Sequence, residues 1–134
     1  MTVNKAFLAI KYHPDNRNRA LIDALCNCLM TAGYNVRVIV RDVEAWGTKT
    51  FTAQEMMAHS FALIRESKVV LIEASEKGVG IGIEAGYAFA FGIPIIVIAR
   101  IGTEISNSLR GVAREILFYD KPDDLIPALI SLAL

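Results

Sequence analysis

Five short apolar runs, separated by helical patterns, constrain the fold of this chain more than any other feature. The runs are Ala6–Ile10, Val36–Val40, Val69–Ile72, Ile95–Ala99 and Ile116–Tyr119. Three of them are almost uninterrupted, which is typical of strands that are covered on both faces. Strands and helices that alternate in this way predict an α/β fold, with a doubly wound, mostly parallel five-stranded sheet and helices on both faces.

Helical patterns fill the intervals between these runs. The predicted helices are a Leu21, Leu25, Cys28 and Leu29 stripe that ends at Gly33, a helix opened by the capping box Thr52–Glu55, and helices over Gly82–Phe91, Ser106–Arg114 and Asp123 to the end. The 134 residues contain no internal repeat or linker. We therefore expect a single domain over residues 1–134, similar in architecture to flavodoxin-like and Rossmann-like folds.

Composition bears on the partners of such a domain. Hydrophobic residues make up 54% of the chain, and the mean hydropathy is +0.41. This apolar excess predicts a homo-oligomer, a dimer or larger, in which a second copy covers part of the surface. Fourteen basic residues balance fourteen acidic ones, and no basic tract is present, so we expect no nucleic-acid partner.

The cellular location is predicted from the cysteines and the apolar segments. Cys26 and Cys28 lack metal-site spacing and are typical of reduced cysteines in a cytoplasmic protein. The N-terminal apolar segment is too short for a secretory signal. The run from Val79 to Ala99 could span a bilayer by length alone, but Gly92 and Pro94 interrupt it, so we expect a helix, a stop and a buried strand.

A single carboxylate within an apolar, glycine-rich stretch is the most informative local feature. Residues 78–99 read GVGIGIEAGYAFAFGIPIIVIA, in which Glu84 is the one charged residue. Part of this stretch, Gly80–Ala85, fits the loose dinucleotide pattern G-x-G-x-x-G/A. That pattern belongs after the first strand, whereas this one follows the third, and Glu84 would lie beside a pyrophosphate. The nicotinamide interpretation is therefore disfavoured.

A small ligand explains the glycines better. Without Cβ atoms, Gly78, Gly80 and Gly82 let the backbone approach a ligand closely. Glu84 is then predicted in the first turn of the third helix, where the helix dipole favours its ionised form against the burial that would protonate it. Such a carboxylate suits nucleophilic attack on a sugar carbon. The alternative, an acid that merely stabilises the helix dipole, remains open on these grounds.

The same stretch resembles a known signature. Glu84, Gly86, Ala88, Ala90, Gly92 and Pro94 stand in the register typical of nucleoside 2-deoxyribosyltransferases and the related 2'-deoxynucleoside 5'-monophosphate N-hydrolases. The resemblance extends from about Thr52 to the end of the chain. It implies that Glu84 attacks the anomeric carbon, releases the base and forms a glycosyl ester, which water or a second base resolves.

Several family positions differ here. Ser60 stands where the family has an assisting acid, and Gly78 where transferases carry an Asp and hydrolases tend to carry a Ser. Ser106 aligns with a serine that in the hydrolases reaches the 5'-phosphate from the neighbouring subunit. Lys11 and Tyr12 follow the first strand in place of a small-residue turn, and Lys11 could meet a phosphate.

Other candidates carry weaker signals. The histidines, His13 and His59, show no metal-ligand spacing, so we expect neither a metal nor another cofactor. Glu73, at the end of the third strand, could replace the missing acid or serve in a cap or salt bridge. Trp46 could cover a base or pack within its loop.

The sequence thus predicts N-glycosidic bond cleavage in a nucleoside or nucleoside 5'-monophosphate, with Glu84 as catalytic residue. The expected substrate-binding residues are Lys11, Tyr12, Ser60, Gly78, Gly80, Gly82 and Ser106. Hydrolysis is favoured over base exchange because the base-holding Asp is absent and Ser106 is present. Two alternatives stay open: a non-catalytic nucleotide-binding module on the same fold, and a related glycosidase that acts on a nucleotide-derived metabolite.

Overall fold

The computed structural model describes residues 4–132 and shows one parallel sheet with helices on both faces. The strands are β1 (Asn4–Ala9), β2 (Tyr34–Arg37), β3 (Val69–Glu73), β4 (Ile95–Arg100) and β5 (Glu115–Tyr119). The helices are α1 (Arg19–Thr31), α2 (Ile39–Asp42), α3 (Ala53–Glu66), α4 (Val79–Ala90), α5 (Asn107–Val112) and α6 (Ile126–Ile130). The strand order is β2-β1-β3-β4-β5 and every pairing is parallel, which confirms the predicted fold class.

The two faces of the sheet bury two separate apolar clusters. On one face, Leu25 and Leu29 of α1 and Leu129 of α6 pack with Leu8 and Leu71 of the sheet. On the other face, α3, α4 and α5 cover the sheet, through residues that include Ile64, Ala85, Ala88 and Leu109 packed with Phe7 and Val97. Strands enclosed on both sides explain why their sequences are nearly continuous apolar runs.

Several element boundaries differ from the sequence prediction, and two of them bear on the site. β2 ends at Arg37 rather than Val40, because the Val38 N–H donates to the Asp42 carboxylate (2.8 Å) and the chain turns into α2. α4 begins at Val79 rather than Gly82. The capping box of α3 is confirmed: Thr52 accepts from the Glu55 N–H, and the Glu55 carboxylate accepts from the Thr52 N–H.

The C-terminal segment forms a 3₁₀ turn at Pro122–Leu125 followed by the short α6. Residues 133 and 134, which the predicted last helix included, lie outside the described residues. Within residues 4–132 no helix is long and apolar enough to cross a membrane, and α4 itself has only 12 residues.

The strand order also places the site. The chain runs outward from β1 to β2 and then returns to β3 on the other side of β1, so the strand order reverses between β1 and β3. In doubly wound sheets ligands bind at such a switch point, outside the carboxyl ends of the strands. The segments that leave β1, β2 and β3 meet at this edge.

Candidate active site

A cavity of about 490 Å³ opens at the switch point. Its walls come from the ends of β1 and β2, the start of α3, and the β3–α4 turn with the first turns of α4. The lining residues are Phe7, Leu8, Ala9, Ile10, Lys11, Tyr12, His13, Asn18, Val38, Ile39, Val40, Glu44, Phe51, Thr52, Ala53, Met56, Met57, Ser60, Gly78, Val79, Gly80, Ile81 and Glu84. A cavity that is mostly apolar with a few polar side chains is typical of a small-molecule site.

The β3–α4 turn presents Glu84 to this cavity. Gly78 is the N-cap of α4, with extended backbone dihedrals (φ −162°, ψ 141°) and no side chain to cap the helix. Ile81 and Ala85 pack on the sheet. Glu84 lies between them in sequence, on the side of α4 that faces α3 and the cavity. Because α4 begins three residues earlier than predicted, Glu84 lies in its second turn rather than its first.

Burial controls the charge of Glu84. Removal from water raises the pKa of its carboxyl from 4.5 to about 7, and the nearby Ser60 hydroxyl lowers it in part. The expectation that the helix dipole would hold this group ionised was wrong, since the dipole acts mainly within the first turn. Near neutral pH the carboxyl is poised between its two forms, which is the range that suits a catalytic group.

Ser60 belongs to the same wall. It lies on α3, is 2% exposed and lines the cavity. Its hydroxyl lies near the Glu84 carboxyl. The position to which the resemblance assigns an assisting acid is therefore next to the proposed nucleophile. A hydroxyl there can donate a hydrogen bond at every pH, whereas an acid could not.

The Lys11 side chain lies beside Gly78 in the lining of the cavity. A Cβ atom added to Gly78 would lie 3.3 Å from Cδ of Lys11, closer than most Cβ contacts. The aliphatic stem of Lys11 therefore occupies the space that a side chain at position 78 would need. Among residues 4–132, no carboxylate lies within 4.0 Å of the Lys11 ammonium, which leaves it available to a ligand.

The predicted substrate-binding residues fall into two groups. Lys11, Tyr12, Ser60, Gly78 and Gly80 line the cavity together with Glu84. Gly82 and Ser106 do not line it. Gly82 is exposed on α4, and the Ser106 hydroxyl caps α5 by accepting from the Leu109 N–H at 3.2 Å.

Glu73 has a structural environment. It is 2% exposed, and its carboxylate accepts hydrogen bonds from the Ser75 N–H (2.6 Å), the Ser75 hydroxyl (2.9 Å) and the Tyr119 hydroxyl. It lines a smaller neighbouring cleft of about 340 Å³ and not the cavity of Glu84. The suggestion that Glu73 replaces the missing acid was therefore wrong, and its hydrogen bonds tie β3 to β5.

His13 and Trp46 are also held by protein partners. The His13 Nε2 lies 2.6 Å from the Glu76 carboxylate, at the boundary between the cavity and the cleft. Trp46 packs on the core beneath the guanidinium of Arg19, 4.3 Å from the ring centroid, and does not line the cavity. Of the two interpretations of Trp46, packing within its loop agrees with the structure and covering a base does not.

Several cavity residues were not singled out from the sequence, among them Glu44, Phe51, Met56 and Met57. They belong to the segment between β2 and the first turns of α3. No motif in the sequence distinguishes these side chains within that segment.

Comparisons with known proteins agree with this geometry. No family model matches the chain. A Thermofilum pendens protein provisionally named 2'-deoxynucleoside 5'-phosphate N-hydrolase 1 is 29% identical over 139 residues, covering 96% of this chain and 94% of that protein.

Solved structures show the same fold. A Clostridium botulinum CMP N-glycosidase, BcmB, superposes with a TM-score of 0.70 at 20% identity, covering 94% of this chain and 98% of that one. A 2-deoxyribosyltransferase of Bacillus psychrosaccharolyticus gives 0.71 at 13% identity, covering 93% and 95%.

Fold and site together define a doubly wound α/β protein with a cavity at the switch point. One glutamate on a helix, Glu84, lines that cavity. Within that class, the resemblance to the 2'-deoxynucleoside 5'-monophosphate N-hydrolases is confirmed over nearly the whole chain. The glycosidase and deoxyribosyltransferase structures share its fold.

Proposed function

We propose that this protein cleaves the N-glycosidic bond of a nucleoside or nucleoside 5'-monophosphate, with Glu84 as the nucleophile. The observation that carries the proposal is the position of the Glu84 carboxyl, which is half-buried at the switch-point cavity and has a pKa raised to about 7. The full-length similarity to a protein named as a nucleotide N-hydrolase supports it.

The chemistry follows from the ionised form of Glu84. One carboxylate oxygen attacks C1' of the sugar, and the C1'–N bond breaks with its electron pair going to the base, which takes up a proton from water. The glycosyl ester that remains is opened by water in hydrolysis or by a second base in exchange. We favour hydrolysis, because Gly78 offers no carboxylate to hold an incoming base.

The phosphate end of the substrate is proposed to lie at Lys11. Its unpaired ammonium, beside Gly78 and at the mouth of the cavity, can form charge-assisted hydrogen bonds with phosphate oxygens. Tyr12 and the backbone of Gly78 and Gly80 line the same region.

A homodimer is the proposed assembly. α4 exposes Val79 (83% exposed), Ile83 and Phe89, with Phe91 just beyond its end, so this helix is apolar on its outer side as well as its inner side. Helices that are apolar all round are usually covered. α5 packs beside α4 in the same layer, and a dimer through α4 would bring Ser106–Ser108 close to the adjoining site.

We also propose a cytoplasmic location. Cys26 and Cys28 are free and buried, and burial raises the pKa of each thiol to about 11. Such thiols do not need an oxidising compartment. Subcellular fractionation of the source cells tests this assignment.

The direct test of function is the release of free base from a panel of nucleosides and nucleoside 5'-monophosphates, with the wild type beside Glu84→Gln. Release by the wild type alone supports the proposal. The alternative is a nucleotide-binding module that has lost its chemistry, which the departures at Ser60 and Gly78 favour. That alternative predicts nucleotide binding by calorimetry with no base released by either protein.

A further inference from the structure

A second carboxyl-bearing residue lines the cavity, on the segment after β2 rather than on α4. Glu44, just beyond α2, and Glu84, on α4, are the two carboxyl-bearing residues among those that line the cavity. Burial raises the pKa of Glu44 above its ordinary value. No hydrogen bond or ion pair joins its side chain to another residue in the part of the chain that the structure describes. The proposed reaction does not use the Glu44 carboxyl.

The backbone fixes Glu44 firmly. Its N–H donates to the Ile39 carbonyl (2.9 Å), and its own carbonyl accepts from the N–H groups of Gly47 and Lys49, each at 3.0 Å. These hydrogen bonds fix the backbone position from which the Glu44 side chain extends.

The two residues that follow are in an unusual conformation. Ala45 and Trp46 have positive φ angles of 47° and 60°, which non-glycine residues rarely adopt. The conformation is secured from outside, because the Asn16 side-chain amide donates to the Trp46 carbonyl (2.9 Å) and the Arg19 guanidinium covers the indole. Strain that the surroundings maintain is characteristic of loops that present a functional side chain.

The same segment supplies an apolar wall. Between β2 and the first turns of α3 the cavity is lined by Val38, Ile39, Val40, Phe51, Met56 and Met57. Methionine and aromatic side chains suit the faces of a flat heterocycle. Adjacent strands lie about 4.8 Å apart, so the loops that leave β2 and β3 on either side of β1 are roughly 10 Å apart. A base that extends across this distance from a sugar at Glu84 would reach Glu44.

We infer that Glu44 selects the base, by accepting a hydrogen bond from an exocyclic amino group on its edge. The inference rests on the proposed function, since it places the sugar at Glu84. A carboxylate accepts well from the amino group of cytosine, whereas uracil presents a carbonyl oxygen at that position. The keto base would leave Glu44 unpaired and set two oxygen atoms against each other, and sites built on a buried polar group reject such analogues strongly.

The experiment compares matched substrate pairs that differ in this group. Base release is measured for cytidine and uridine 5'-monophosphates and for adenosine and inosine 5'-monophosphates, in both ribose and 2'-deoxyribose forms. The wild type should favour the amino member of the pair that it accepts by roughly tenfold or more in kcat/KM. Glu44→Gln, whose amide can either donate or accept, should bring the two members within about threefold. Glu66→Gln, an exposed glutamate at the end of α3, should keep the wild-type ratio.

Binding to the Glu84→Gln protein separates this inference from the proposed function. If no base is released but calorimetry shows the amino member bound more tightly, and Glu44→Gln in that background removes the difference, the selection by Glu44 stands and the catalytic proposal fails. If base is released without preference, or the preference survives in Glu44→Gln, the inference about Glu44 is overturned. Absence of binding by every member of both pairs also overturns it.

Discussion

The Ser60 hydroxyl and the Glu84 carboxyl face each other across the wall of the cavity, one from α3 and the other from α4. Ser60 is buried, and its hydroxyl opposes the effect of burial on the pKa of Glu84. The ionised fraction of the proposed nucleophile at a given pH is therefore set by two opposing causes, desolvation and one hydroxyl. Each cause can be changed by substitution.

Glu84→Gln should abolish base release while stabilising the fold at neutral and alkaline pH. The pKa of Glu84 is about 7 when folded and 4.5 when unfolded, so the unfolded state binds fewer protons between those values and stability falls as pH rises through them. The loss is complete above about pH 7 and amounts to about 3 kcal/mol at most. Base-release assays and thermal melts of both proteins at about pH 4 and pH 8 check this.

The pH dependence of the melts is the control for that prediction. The gain from Glu84→Gln should be present at pH 8 and absent at pH 4, where the carboxyl is protonated in both states. A Glu84→Gln protein that still releases base would falsify the catalytic assignment. A loss of stability with activity intact would instead identify Glu84 as a structural residue.

Activity should rise with pH through about 7. The carboxylate and not the acid attacks C1', so kcat/KM should fall roughly tenfold per pH unit below the pKa of Glu84 and level off above it. The measurement is a profile of kcat/KM for base release from about pH 5 to pH 9. A profile that is flat, or that declines through this range, contradicts the nucleophilic role of the ionised form.

The sequence predicted the fold well, because strands covered on both faces must be apolar throughout. The runs Val69–Ile72 and Ile95–Ala99 have this composition and form central strands of the sheet. It also identified Glu84, since a single charge in so apolar a stretch requires an explanation. The start of α4 was misplaced because Val79 and two glycines have weak helix propensity, and the packing of Ile81 on the sheet outweighs it. Glu44 could not be recognised, because its burial arises from tertiary contacts and not from any local pattern.

Ser60→Ala should shift the pH profile toward higher pH without abolishing activity. Without the hydroxyl, desolvation alone acts on Glu84, its pKa rises further, and activity near neutral pH drops. At alkaline pH the rate should largely recover. The matched control is Ser67→Ala, which removes a hydroxyl that donates to the Leu63 carbonyl (2.7 Å) just beyond the end of α3. A rate that falls equally at all pH values for Ser60→Ala would mean that Ser60 acts on the substrate instead.

Phe89→Lys should convert the proposed dimer into a monomer. Phe89 is 57% exposed on the outer side of α4, so the change leaves the core of a single chain intact but places a charge in the proposed interface. Light scattering at micromolar concentration measures the mass. Met30→Lys, an equally exposed apolar residue on α1 at the opposite face of the sheet, should leave the dimer unchanged. A wild type that is monomeric at that concentration contradicts the assembly.

Lys11→Met should remove the preference for a 5'-phosphate. Methionine retains an apolar stem to pack over Gly78 but has no ammonium, so only the charge-assisted hydrogen bonds are lost. The wild type should bind a nucleoside 5'-monophosphate more tightly than its nucleoside, and Lys11→Met should reduce that ratio by about tenfold or more.

Calorimetry with matched nucleoside and monophosphate pairs measures both ratios. Lys77→Met, which removes an exposed lysine from the turn before α4, should keep the wild-type ratio and so distinguishes a local contact from a general loss of positive charge. If Lys11→Met keeps the ratio as well, the phosphate is held elsewhere, and the Ser106 loop of a second copy is the next candidate. If the wild type itself binds both members of a pair equally, the phosphate subsite is absent, and the uncharged nucleosides that transferases use become the expected substrates.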